Sequence, residues 1–132
     1  MIFSPELEIF NYFFKYSTNK GFDTYDYLPT EEENVPYPFV IIGDTSLTPD
    51  STKNSLDGNL ELDIDLWNNA SNRAVISNMM NDFLHEAVKI KSTKNYTTVF
   101  DMQRSETRLV TDYSVEGQIL LHGIMNLHFE II

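Results

Sequence analysis

Apolar residues recur along this chain with two alternating periods, and the switches between periods mark its elements. Leu7, Phe10, Phe13 and Phe14 fall at helical spacing after Ser4-Pro5. Serine caps a helix, and proline at its first position costs nothing because that N–H has no partner there. Asn19-Lys20-Gly21 supplies the stop. The aromatic stretch Thr24 to Leu28 predicts a first short strand, broken by Pro29 and the acidic run Glu31, Glu32, Glu33. Pro36 and Pro38 remove ladder donors and belong at the start of a strand, and Phe39 to Ile42 reads as a strand buried on both faces.

The next strand has a strict period of two. Leu60, Leu62, Ile64 and Leu66 point one way; Glu61, Asp63, Asp65 and Trp67 point the other. Asn68 to Ser71 supplies turn and cap chemistry. Ile76, Met79, Met80, Phe83, Ala87 and Ile90 then form a helical stripe that ends near Lys89 and Lys91, where cations suit the helix dipole. Thr97 to Met102 and Thr107 to Val110 are strand candidates, with a turn at Asp112-Tyr113-Ser114. Gln118 to Ile132 predicts a long final strand with Leu121, Gly123, Met125, Leu127, Phe129 and Ile131 on one face. Together these predict an α+β fold: a mainly antiparallel sheet of four to five strands with two α-helices packed on it.

Between the two middle strands, Asp44 to Asn59 reads as one long polar loop in which only Leu47 and Leu56 are apolar. Loops of this length are uncommon inside compact domains and are usually functional or mobile. The segment is either a hairpin tip or an arm that orders against a neighbouring subunit.

At 132 residues the chain is expected to form a single domain over its whole length. No cysteine is present, which excludes disulfides, thiolate catalysis and cysteine-ligated zinc. The first residues lack a basic n-region, and no apolar run has the ~20 residues that span a bilayer, so neither a signal peptide nor a membrane partner is expected. The net charge of -11 argues against binding to phosphates or to an anionic membrane surface. Such a surface repels DNA that merely passes by.

The residues that could carry chemistry are few. Glu61, Asp63 and Asp65 place three carboxylates along one strand face, ~7 Å apart by strand rise. Such a row can bind a hard cation, but it is more often a solvated face; Arg104, Arg108, Lys89 and Lys91 are available to relieve its repulsion. His122 and His128 share a face of the last strand with Asn126 and Glu130, but at ~20 Å apart the two histidines cannot share one zinc ion. His85 has no partner pattern. No Gly-x-Ser-x-Gly elbow and no glycine-rich phosphate loop occurs. No catalytic, cofactor or metal site is therefore expected. Trp67, at the end of a strand on its polar side, is either a lid on a small satellite core or an interface anchor.

Across roughly residues 25–132 the chain resembles the tail terminator, or tail completion, proteins of long-tailed bacteriophages. The matching pieces are the Val-Pro-Tyr-Pro-Phe-Val-Ile-Ile-Gly-Asp run at 35–44, the alternating strand closing in Leu66-Trp67, and the Ser-Asn-Arg helix start at 71–73. The Ile76 to Leu84 helix, the Arg104 to Asp112 segment and the apolar strand to the C-terminus follow in the same order. The resemblance implies a non-enzymatic virion protein of the tail–neck region, assembled in the host cytoplasm. It would cap the finished tail tube as a ring, typically a hexamer, end elongation and present the head-docking surface. Its implied partners are further copies of itself, the major tail tube protein and a head-completion or connector protein, with DNA passing through unbound. The interface candidates are Asp44, Leu47, Leu56, Glu61, Asp63, Asp65 and Trp67. Two alternatives remain: a head-completion protein of the neck, and a metal-dependent hydrolase built on Glu61, Asp63 and Asp65 or on the region of His128.

Overall fold

The computed structural model describes residues 2–49 and 58–132. Their order is α1 (Pro5–Asn19), β1 (Thr24–Tyr25), a single 3-10 turn (Glu31–Glu33), β2 (Phe39–Pro49), β3 (Gly58–Asn69), α2 (Arg73–Lys89), β4 (Thr98–Phe100), β5 (Glu106–Asp112) and β6 (Leu120–Ile131). The strands form one sheet in the order β1-β2-β3-β6-β4, with β5 pairing the other end of β6. All pairs are antiparallel except β1 with β2. The fold is thus α+β as expected, with six strands rather than four to five.

Both helices lie on one face of this sheet. Ser4 Oγ accepts from the Leu7 N–H at 3.2 Å, with Pro5 opening α1; Asn72 Oδ1 accepts from the Val75 N–H at 3.3 Å to start α2. The alternation predicted for β3 and β6 sends Leu60, Leu62, Ile64, Leu66, Met125, Leu127 and Phe129 under the helices, all essentially inaccessible. The α2 stripe Ile76, Met79, Met80, Phe83, Ala87 and Ile90 is buried throughout. Phe13 of α1 meets Phe129 with ring centroids 5.9 Å apart, and Tyr16 meets Phe83 at 5.7 Å. Aromatic pairs at such distances add to the burial of their area. The expected α1 stripe is shifted: Ile9 and Phe13 are inaccessible, whereas Leu7 is exposed. The buried side of α1 is centred on Ile9 and Phe13 and takes in Glu8 and Ser17, with Phe10 and Phe14 at its margin.

Much of the expected loop at Asp44 to Asn59 is strand. Residues Asp44 to Pro49 continue β2, Gly58 and Asn59 begin β3, and Leu47 faces Leu60 across the ladder. Leu56 lies outside the described residues. Ile42 pairs with Ile64 and Thr45 with Leu62, so Gly43 and Asp44 together oppose Asp63. That is a β-bulge, one extra residue on one strand. It moves the inward phase from Val40 and Ile42 to Thr45 and Leu47, because a slip of one residue exchanges the faces of a strand. The period-two signal is therefore present on both sides of Gly43-Asp44 but out of phase, and the segment reads as irregular. The first strand is also shorter than expected, covering only Thr24 and Tyr25.

Candidate functional site

The sheet face opposite the helices collects the polar halves of the alternating strands. Direct cross-strand neighbours are Ser46, Glu61 and His128 in one row, Asp63 and Asn126 in the next, and Phe39, Trp67, His122 and Val110 in a third. Side chains opposite one another on an antiparallel pair are close enough to interact. Glu61 Oε1 lies 2.9 Å from His128 Nε2, and Ser46 donates to Glu61 at 3.2 Å. His128 Nε2 also lies 2.6 Å from Asn126 Oδ1, and Asn126 Nδ2 donates to Asp63 at 2.6 Å. Asp65 Oδ1 is 2.7 Å from His122 Nε2. Both histidines face acceptors through Nε2, so that nitrogen must carry the proton in each ring.

The carboxylate row therefore does not rely on Arg104, Arg108, Lys89 or Lys91. Arg104 pairs with Asp101 and Arg108 with Glu106. Relief comes instead from β6, where histidine and asparagine donors interleave with the acids of β3. Lateral pairing brings β6 alongside β3 over its whole length, whereas the arginines sit on or before β5, one strand further away. His122 and His128 serve separate carboxylates and do not converge, as their strand separation predicts. No three His, Cys, Asp or Glu side chains come together to hold a metal ion among the described residues. Among the described residues no hydroxyl hydrogen-bonds to either imidazole ring; their Nε2 atoms face Asp65, Glu61 and Asn126.

Trp67 is half-buried and stacked on His122, with ring centroids 3.8 Å apart and planes 11° from parallel. Its other neighbours are aromatic. Phe39 is its ladder partner; Tyr37 stacks on Phe39 at 5.5 Å and Tyr25 meets it edge-on at 6.0 Å. Residues of the segment from Leu28 to Tyr37 gather with Phe39 and Trp67 at this corner of the outer face, and Phe39 is buried although it points away from the helices. Here Trp67 lines a cavity of about 540 Å³ between that segment and the 114–120 connection. Among the described residues, Glu31 and Glu116 line it and no lysine or arginine does. Burial first, then the nearby charges of Glu31 and Asp112, raise the Tyr37 phenol above its ordinary pKa. No periodic pattern marks this cavity in the sequence; its walls come from segments about eighty residues apart in the chain.

A second polar cluster ties α1 to the 93–95 turn. Glu8 is 6% exposed and accepts from Thr93 Oγ1 at 2.8 Å, from the Asn95 N–H at 2.9 Å and from Asn95 Nδ2. Burial pushes its pKa up, but the hydrogen bonds from Asn95 and Thr93 and the charge of Lys94 outweigh that and hold the carboxyl below its ordinary value.

The interface candidates spread over this architecture. Asp44 is exposed in the bulge, whereas Leu47 lies half-buried against the helix-side core. Glu61, Asp63, Asp65 and Trp67 share the outer face. Comparison with protein-family models, with curated proteins and with solved structures finds no match.

Proposed function

We propose that this chain is a structural phage assembly protein of the tail terminator kind, which caps the finished tail tube as a ring, ends elongation and forms the head-docking surface. The observation that carries this reading is a sheet with an open edge on each side. Beside β2, strand β1 covers only Val40 and Ile41, leaving Gly43–Pro49 without an outer neighbour among the described residues. On the other side, β5 pairs only with β6 among the described residues. Two different open edges on one subunit suit a heterologous, head-to-tail contact, the kind that closes into rings. A hexamer would multiply the -11 charge of each copy, giving a wall that DNA can slide past without sticking. The outer-face ladder needs no substrate to explain it, since each acid already has a partner on β6 or β2. Among the described residues no helix is long and apolar enough to cross a membrane.

The test is electron microscopy of the purified chain mixed with tail tubes, with light scattering after size exclusion for the free protein. Rings at tube ends, and monomers or weak oligomers in dilute solution, are the expected outcome. Absence of tube binding under assembly conditions overturns the reading. Deleting the gene distinguishes the neighbouring neck role: overlong or headless tails mark a terminator, whereas leaking heads beside normal free tails mark a head-completion protein.

A further inference from the structure

The cavity beside Trp67 has a composition that the ring reading does not use. Its floor is aromatic, with Tyr37, Phe39 and Trp67, and its rim carries the carboxylates of Glu31 and Glu116. At about 540 Å³ it has the size of sites that enclose a side chain or small ligand. Burial first, then the charges of Glu31 and Asp112, disfavour ionisation of the Tyr37 phenol beside it. The Trp67 indole N–H is buried and has no hydrogen-bond partner among the described residues. That nitrogen has no accessible surface, so it is the face of the ring and not its N–H that a bound group would meet.

We propose that this cavity receives an arginine side chain of a partner protein. Aromatic faces attract a cation through their quadrupole, and carboxylates at the rim add direct charge pairing. A guanidinium suits the site better than an ammonium, because it is planar, weakly hydrated and able to stack on rings while it pairs with carboxylates. The methylene stem of an arginine side chain can lie along the aromatic lining while its head pairs with the carboxylates, which a bare cation cannot do. The acidity of the whole chain draws basic partners toward it. This inference does not rest on the tail reading, and its failure would leave that reading untouched.

Trp67 is the only tryptophan, so its emission reports on the cavity directly. The full chain is titrated with arginine blocked at both ends, with citrulline blocked in the same way, and with guanidinium chloride at matched ionic strength. Blocked arginine should give a saturable change with a dissociation constant on the order of millimolar, as a single side chain would. Blocked citrulline, which keeps the shape and loses the charge, should bind at least tenfold more weakly. The double variant E31Q/E116Q, at two exposed positions, should weaken arginine by a similar factor while leaving the melting temperature unchanged. No saturable response to blocked arginine, equal binding of citrulline, or full binding by the double variant overturns the proposal. Bare guanidinium binding as tightly as blocked arginine overturns the protein partner and leaves a small-cation site.

Discussion

Replacing Glu8 will loosen the join between α1 and the turn before β4. The carboxylate accepts from the Thr93 hydroxyl, the Asn95 N–H and the Asn95 side-chain amide, and it is nearly inaccessible to water. Hydrogen bonds to a charged group contribute ~1.5–3 kcal/mol each, so three at the low end of that range sum to ~4.5 kcal/mol. Asn95 is exposed and Thr93 half-buried, so water recovers part of this once the acceptor is gone. The expected loss for Glu8→Ala is therefore ~3 kcal/mol. At ~4 °C per kcal/mol for a domain of this size, the melting temperature should fall by ~12 °C. Glu8→Gln keeps one acceptor oxygen but turns an NH2 toward groups that are themselves donors, and should lose ~2 kcal/mol. The acid behaviour is the sharper signature. Because the folded-state pKa of Glu8 is depressed, its contribution is fully present above the ordinary glutamate range and is lost as pH falls through the folded value. Thermal melts at neutral pH and on the acid side should converge for wild type and Glu8→Gln as the wild-type carboxylate protonates. An unchanged neutral-pH melting temperature in Glu8→Gln, or a gap between the two proteins that persists in acid, would refute the argument.

Alkaline titration offers a second check. Burial, then the hydrogen bond and charge of Glu86, push the Tyr12 phenol up to about 12. Its contribution is present below the ordinary tyrosine range and is lost as pH rises through about 12, so ultraviolet titration should show a late-ionising tyrosine that Tyr12→Phe removes. Gly58 and Gly123 should differ in tolerance. An added Cβ at Gly58 meets the backbone of Thr48 and Pro49 at 2.3 and 2.8 Å, so Gly58→Ala should cost more than ~2 kcal/mol in chemical denaturation. At Gly123 the obstacle is the flexible end of Met80 at 2.7 Å; Gly123→Ala should cost only ~1 kcal/mol, and less still beside Met80→Ala. Removing the stack on Trp67 with His122→Ala should shift its emission to the red and destabilise by ~1 kcal/mol, while an unshifted spectrum would contradict the stacked geometry.

Local pattern alone was enough to place both helices, the buried strand after Pro38, the two faces of β3 and the inward row of β6. Each of these depends on neighbours within a few residues: a cap, a proline, or a period of two or 3.6. The tertiary structure decided what those patterns meet. The bulge at Gly43-Asp44 exists because β2 must keep pairing with β3 while changing which residues face the helices, and its reversal of phase hid the rest of the strand. Asp65 finds His122 from 57 positions away, and Glu8 finds Asn95 from 87. Nothing in the sequence near Glu8 distinguishes it from Glu6; the phase with which α1 meets the sheet and the closing of the 93–95 turn over it make one buried and the other not. Periodicity tells a side chain which face to take; the lateral register of strands far apart in the chain determines whose side chain it meets there.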